Sequence, residues 1–447
     1  MSTRNSATVK QLRVAENRHF LSYSDGSPFF YLGDTAWALF QRLSREEARF
    51  YLENRARKGF TVIQAIALCW DGLQIPNANG DLAFPSADPA RPNEAYFRHV
   101  DSIVDDAASL GLVMGMLPTW GDAWRDPQRK GNGFLTIEGA RAYGHFLGER
   151  YRGKPLIWIL GGDDNITSER EHAIVAALAE ALREGDGGEH LITFHPRGLA
   201  RSSTVLHQAE WLDFNMIQSS HAARDFDNGA YVELDYRLRP AKPTVDGEPR
   251  YEHIPVGFYY TYANRVQRFT DDDVRRAAYW SVLAGACGFT YGNNNVWQMW
   301  KPGFEPTISA SVPWMAALDH PGAFQMGHMR RLFESRPYQT LVPDTSFILE
   351  GPSFGGGKIR SARASDGSFA IVYSPLGEPF TVSFGCLSSP NATLWWFDPR
   401  YGTAEPFHYH HEGNAAINQY APPTSGPGND WVLVMDNADL GFAAPGM

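Results

Sequence analysis

The sequence is constrained most by eight short apolar runs that alternate with helical or connecting segments. The runs predict strands at 29–37, 60–68, 112–117, 155–160, 191–195, 214–218, 244–248 and 285–291. An unbroken apolar run such as 155–160 is typical of a strand buried on both faces, as in a parallel sheet. Eight such strands alternating with helices predict an α/β fold, a (β/α)8 TIM barrel. The alternative, a doubly wound sheet, needs a phosphate-type glycine loop after the first strand, and Leu32-Gly33-Asp34-Thr35 is not one.

Helix signals lie between the predicted strands. Ser44 and Glu47 form a capping-box pair at the start of the first long helix, which Gly59 closes. Further helices are predicted at 96–110 from apolar spacing, from a Thr136 cap to about Tyr151, and at about 168–183 and 272–283.

The pattern changes after about residue 338. Helical periodicity ends, and short alternating runs at 369–373, 380–384, 393–397 and 431–435 lie between turn residues. Strands at this spacing predict an all-β sandwich. We therefore expect a catalytic barrel domain at 1–338, with a short N-terminal extension, followed by a β-sandwich domain at 339–447.

Charge and composition narrow the functional class. The net charge is −10 and Lys and Arg do not cluster, which argues against nucleic acid or an anionic membrane as partner. Three widely spaced cysteines suit a reducing compartment, and the first residues contain no apolar signal segment. The sequence predicts a cytoplasmic protein with no cofactor, and leaves the oligomeric state open.

Polar and aromatic side chains follow the predicted strands at their carboxyl ends. In a barrel these ends meet at one face, where they form a ligand pocket. The tryptophans are predicted to stack on a sugar, and the polar residues to bind its hydroxyl groups. The predicted substrate-binding residues are Asp34, Trp37, Trp70, Trp120, His195, Gln218, His221, Tyr291, Asn294 and Trp297, and Asp71 lies at the same strand tip as Trp70.

Two acidic positions lie on opposite sides of the predicted barrel mouth. Asp163 and Asp164 follow the fourth strand, and Glu248 follows the seventh. Carboxylates about 5 Å apart across a sugar site are the arrangement of retaining glycosidases. The residues leave open which of the two aspartates is the partner, and Asp246 is the alternative acid on the seventh strand.

A metal-dependent barrel hydrolase is the main chemical alternative. Such enzymes usually have His-x-His after the first strand, where this chain has Gly33-Asp34-Thr35-Ala36. His195 and His221 are possible ligands, but the pattern favours no metal. His408, His410 and His411 are predicted to lie in an exposed turn of the β-domain.

Three segments together resemble the apiosidase-like (family 140-like) glycoside hydrolases. They are Tyr31–Trp37, Trp158–Asp163 and Asp246–Glu252, and Trp396–Gly402 is similar to a signature of the β-domain that follows these barrels. The resemblance implies that Asp163 is the acid/base and Glu248 the nucleophile. It also implies a retaining enzyme that cleaves apiose, or a related pentose or deoxysugar, from a plant-derived glycoside or oligosaccharide. The alternative functions are a carbohydrate-binding barrel without catalysis and a metal-dependent hydrolase.

Overall fold

The structure is a computed structural model that describes residues 10–70, 72–219, 221–260, 265–407 and 417–447. Asp71 and the predicted turn histidines His408, His410 and His411 lie outside the described residues. Three short antiparallel strands precede the barrel: β1 (Leu12–Val14), β2 (Leu21–Tyr23) and β3 (Pro28–Phe29).

Eight parallel strands form the centre of the larger part of the chain. They are β4 (Tyr31–Thr35), β5 (Val62–Leu68), β6 (Val113–Thr119), β7 (Leu156–Gly161), β8 (Leu191–His195), β10 (Asn215–Gln218), β11 (Thr244–Asp246) and β12 (Gly288–Tyr291), with the antiparallel β9 (Ala200–Arg201) at the edge of β10. The paired order is β8-β7-β6-β5-β4-β12-β11-β10-β9.

The curled sheet closes between β8 and β10. The backbone N–H of Asp213 donates to the carbonyl of Ile192 at 2.9 Å, and the Thr193 hydroxyl donates to the carbonyl of Phe214 at 2.7 Å. These contacts place β8 beside β10, which is the neighbour that a barrel requires. The predicted (β/α)8 barrel is confirmed.

Helices surround the barrel strands. They are α1 (Leu39–Arg42), α2 (Arg45–Arg57), α3 (Glu94–Ser109), α4 (Ile137–Tyr151), α5 (Glu169–Asp186), α6 (Ser203–Leu206), α7 (Gly229–Tyr236), α8 (Asp271–Leu283), α9 (Trp314–Ala317) and α10 (Pro321–Glu334). The capping box of Ser44 and Glu47 starts α2, and the Thr136 side chain caps α4, both as the sequence predicts. Among the described residues, no helix has both the length and the hydropathy needed to cross a bilayer.

Two antiparallel sheets follow the barrel. Their strands are β13 (Leu341–Pro343), β14 (Ile348–Glu350), β15 (Arg360–Ala364), β16 (Phe369–Ser374), β17 (Phe380–Ser383), β18 (Ala392–Asp398), β19 (Thr403–Phe407), β20 (Ile417–Tyr420) and β21 (Trp431–Asn437). The larger sheet has the order β13-β15-β16-β21-β18-β19 and the smaller one β14-β17-β20. Apolar side chains of both sheets, among them Val372, Val382 and Leu433, form a shared core. The predicted β-domain is confirmed as antiparallel sheets.

The β-sheets pack closely on helix α8 of the barrel. Arg275 of α8 pairs with Asp430 at 2.7 Å, and both side chains are at most 2% exposed. Tyr279 of the same helix stacks on Tyr373 of β16, with ring centres 4.6 Å apart. These contacts join the two parts through one buried interface. The division of the chain at about residue 338 stays a prediction.

Candidate active site

A cavity of about 390 Å³ lies at the carboxyl ends of the barrel strands. It has the size and position of a small-ligand site in this fold. Several residues predicted from the strand tips line it: Trp37, Trp120, Asp163, Gln218, His221, Glu248 and Trp297. The fold therefore brings both predicted catalytic carboxyl groups to one cavity.

Asp163 reaches the cavity through an unusual turn after β7. Gly161, Gly162 and Asp163 have φ angles of +93°, +91° and +54°. A Cβ atom at Gly161 would overlap the carbonyl oxygen of His195, so a glycine is required there. Asp163 itself adopts the left-handed conformation, which costs a non-glycine residue free energy and is typical of functional sites.

Asp164 has a different environment from its neighbour. Its two oxygens lie 2.9 Å from Arg125 and 3.1 Å from Arg129, and its side chain is 3% exposed. The two guanidinium groups neutralise the charge of Asp164, and Asp164 does not line the cavity. The turn thus separates two aspartates that adjacent sequence positions do not distinguish.

Glu248 lies just beyond the end of β11 and meets two histidines. His221 Nε2 hydrogen-bonds its Oε1 at 3.1 Å. His195 Nε2 lies 3.1 Å from its Oε2, at an angle outside a regular hydrogen bond. His195 is fully buried and His221 is 3% exposed, so water competes little for either contact.

Backbone N–H groups orient both imidazole rings. The N–H of Asp163 donates to Nδ1 of His195, and the N–H of Tyr251 donates to Nδ1 of His221, each at 3.4 Å. Because Nδ1 accepts in each ring, a neutral ring carries its proton on Nε2, which faces Glu248. His195 therefore connects the backbone of one acid to the side chain of the other.

The two carboxyl groups have pKa values displaced in opposite directions. Burial, with the added negative charge of Glu248, raises the pKa of Asp163 to about 7. Burial alone would raise the pKa of Glu248 as well. The contacts with His195 and His221 outweigh burial and lower the pKa of Glu248 to about 2. At neutral pH the site accordingly holds one ionised carboxylate beside one acid that readily carries a proton.

Trp70 and Asn294 support the cavity without lining it. The Trp70 ring packs edgewise on Trp120 and Trp297, each with ring centres 5.8 Å apart. Asn294 accepts a hydrogen bond from the Trp297 indole at 3.2 Å and donates to the carbonyl of Ile308 at 2.9 Å. Both residues contact cavity-lining side chains, and the substrate contact predicted for them stays a prediction.

Asp34 and Tyr291 are also placed away from the cavity. Asp34 is fully buried, and its Oδ2 accepts bonds from Arg55 at 2.6 Å and from Tyr51 at 2.5 Å. The Tyr291 hydroxyl donates to Glu252 at 2.5 Å. Neither residue lines the cavity, because each side chain bonds a buried partner, and their predicted substrate contacts stay a prediction.

Asp246 also has a buried role. Its Oδ2 accepts from Ser219 at 2.7 Å and from Asn228 at 3.0 Å, and its side chain does not line the cavity. Glu248 is therefore the carboxylate that this part of the chain presents to the cavity.

The sequence prediction missed a wall of the cavity contributed by the segment after Glu248. Tyr251, Phe258, Tyr259 and Tyr260 line it, and the last three rings contact one another in series with centres 5.0 Å apart. The run of aromatic residues so soon after a catalytic candidate was the available signal. Arg197 also lines the cavity, and no strand pattern marks it.

Within the described ranges, no three His, Cys, Asp or Glu side chains are grouped as metal ligands. The barrel and the cavity at its carboxyl end, lined by two carboxyl groups, form the arrangement that is typical of glycoside hydrolases.

Comparison with known proteins supports the same class. A solved structure described as a glycoside hydrolase shares 33% identity, with a TM-score of 0.88 over 97% of this chain and 98% of that one. A glycoside hydrolase family 5 structure from Bacteroides vulgatus ATCC 8482 shares 31% identity, with a TM-score of 0.88 over 97% and 95% of the two chains. Among curated proteins no sequence matches.

Family profiles give the narrower assignment. The profile "Apiosidase-like, catalytic domain" matches residues 15–340, so the chain belongs to the apiosidase-like family. The profile "Putative collagen-binding domain of a collagenase" matches residues 342–436.

Proposed function

We propose that the protein is a retaining glycoside hydrolase of family 140 type. It removes terminal apiose, or a related pentose or deoxysugar, from a plant-derived glycoside or oligosaccharide. One observation carries the proposal: Asp163 and Glu248 share one cavity and have pKa values displaced in opposite directions. Two carboxyl groups that differ in this way are suited to act as proton donor and nucleophile.

The mechanism has two displacement steps. Glu248 attacks the anomeric carbon and forms a glycosyl ester, while Asp163 protonates the departing oxygen. The ester removes the negative charge that raises the pKa of Asp163, so Asp163 becomes a stronger acid and stays ionised as a base. It then takes a proton from water, which attacks the anomeric carbon and releases the sugar with its original configuration.

The other cavity residues suit sugar binding. Trp37, Trp120 and Trp297 offer ring faces and edges to the apolar side of a sugar, and Gln218 offers an amide to its hydroxyl groups. The compact cavity suits one terminal sugar. The cytoplasmic location stays a prediction.

The test combines two substitutions with product analysis. Glu248→Gln is expected to lower kcat on an aryl apioside by about 10⁴-fold or more. Asp163→Asn is expected to lose about 10²–10⁴-fold on an alkyl apioside, and far less on a 2,4-dinitrophenyl apioside whose leaving group needs no proton. Glu169→Gln, at an exposed acid at the start of α5, is the matched control and leaves kcat unchanged.

Proton NMR of the first-formed product gives the stereochemistry. Retained anomeric configuration supports the proposal, and an inverted product contradicts it, as does full activity of Glu248→Gln. Loss of activity with a chelator would indicate the metal-dependent alternative. Calorimetric binding of apiosides without any turnover would indicate a carbohydrate-binding protein.

A further inference from the structure

A second cavity, of about 380 Å³, lies beside the catalytic cavity and shares Leu199 with it. Strand β8 contributes to both sites. His195 contacts Glu248, and the preceding residue, Phe194, lines the second cavity. Successive side chains of a strand point to opposite faces, so β8 forms part of the partition between the two cavities.

The second cavity lies on the proton-donor side of the catalytic cavity. Asn165 and Ile166, which follow Asp163 closely in the same loop, line it. The Asn165 side chain bonds both backbone polar groups of Arg197, at 3.1 and 3.2 Å. This pair joins the loop of Asp163 to the segment that carries Leu199. The two cavities meet at the exposed Leu199, which lines both, so a leaving group protonated by Asp163 can reach the second cavity past this side chain.

The lining of the second cavity is mainly apolar. Phe194 and Leu206 form a buried wall, while Leu199 is 42% and Val205 53% exposed at the rim. Among the described residues that line it, Arg201 is the charged one, and its guanidinium group forms an ion pair with the Asp235 carboxylate at 2.5 Å. Exposed apolar residues grouped around a concave, mainly apolar pocket of this size are typical of a ligand-binding site.

We propose that this second cavity, the aglycone cavity, binds an apolar leaving group while the sugar occupies the catalytic cavity. The substrate class is then glycosides of aromatic or aliphatic alcohols. The inference rests on the proposed glycosidase function and narrows it to such substrates. The volume accommodates a bicyclic ring or a short alkyl chain.

The first experiment compares hexyl apioside with methyl apioside. The two alcohols have similar acidity, so their kcat/KM ratio reports contacts of the leaving group. Wild type is expected to favour the hexyl compound at least about tenfold. Thr204→Trp fills the aglycone cavity from an exposed position on α6 and is expected to remove this preference without changing kcat/KM for the methyl compound. Thr403→Trp, at an exposed position on β19, is the matched control.

The second experiment measures calorimetric binding of free 2-naphthol. Wild type is expected to bind it, while Thr204→Trp and the rim variant Val205→Asp weaken binding about tenfold or more. Wild type that cleaves both apiosides without preference, or fails to bind 2-naphthol, overturns the inference and leaves the glycosidase proposal standing. Wild type that cleaves neither apioside overturns apiose as the sugar in the proposed function. In that case, 2-naphthol binding that is weaker in both variants than in wild type still supports an apolar binding site in the second cavity. Equal binding by wild type and both variants overturns that site.

Discussion

Neutralising Glu248 is expected to lower the pKa of Asp163 partway toward its ordinary value of 3.8. In the wild type burial is the larger cause of the raised pKa of about 7, and the charge of Glu248 is the second. Glu248→Gln removes the second cause and keeps the first. At the spacing of about 5 Å that the proposed retaining mechanism requires, two carboxylates repel by roughly 3 kcal/mol at an effective dielectric constant of about 20, which equals about two pKa units. We therefore expect the pKa of Asp163 to fall to about 5.

Carbon-13 NMR titration of aspartate-labelled protein measures this change. Asp163→Asn assigns the signal, and aspartate labelling leaves out Glu252, whose pKa burial also raises to about 7. Glu169→Gln serves as the control and leaves the Asp163 pKa unchanged. A titration identical in wild type and Glu248→Gln would refute the electrostatic coupling. A fall to the ordinary value would refute burial as the larger cause.

The same pKa determines the pH dependence of wild-type catalysis. The proton donor must be protonated, so kcat/KM is expected to decline as pH rises through about 7, where Asp163 ionises. Glu248, with a pKa of about 2, stays ionised throughout the neutral range. Initial rates on an alkyl apioside between pH 5 and 9 test this, and a rate that rises above pH 7 would contradict the assignment of Asp163 as acid.

Three further substitutions test the framework. Gly161→Ala places a Cβ against the carbonyl of His195 at a positive φ, and should lower the free energy of unfolding in urea by roughly 2–4 kcal/mol together with kcat. Arg275→Met leaves Asp430 buried without its main cation and should cost about 3–5 kcal/mol in the same assay, while unchanged stability would contradict the interface. Tyr260→Ala shortens the aromatic wall of the catalytic cavity and should raise KM for methyl apioside about tenfold with little change in kcat, and an equal loss in kcat would contradict a binding role.

Local sequence patterns were sufficient for the architecture. Adjacent residues and hydrophobic periodicity predicted three features that appear in the structure. They are the buried strand at 155–160, the capping pair Ser44 and Glu47, and the alternating runs after residue 338. The alternation of strands and helices then predicted parallel strands in a barrel, whose carboxyl ends all lie at one face. This is why an acid after the fourth strand, Asp163 or Asp164, was predicted to face Glu248 across one mouth.

Side-chain direction at the strand ends was not predictable in the same way. Asp34 and Tyr291 follow the strand-tip rule, yet each turns to a buried partner that lies far away in the sequence, Arg55 and Glu252 respectively. Such partners depend on packing between helices and strands. A pattern that spans a few residues contains no information about them.

The sequence by itself determined the barrel, the β-domain and the residue types available at the barrel mouth. Only the tertiary structure showed that the two adjacent aspartates have different environments. Asp163 and Asp164 are adjacent, but the left-handed turn places one at the cavity that Glu248 also lines and the other between two guanidinium groups. His195 and His221 converge on Glu248 from different strands. The pKa values of Asp163 and Glu248 are displaced in opposite directions by burial and by charges at short distances. Both causes exist only in the folded chain.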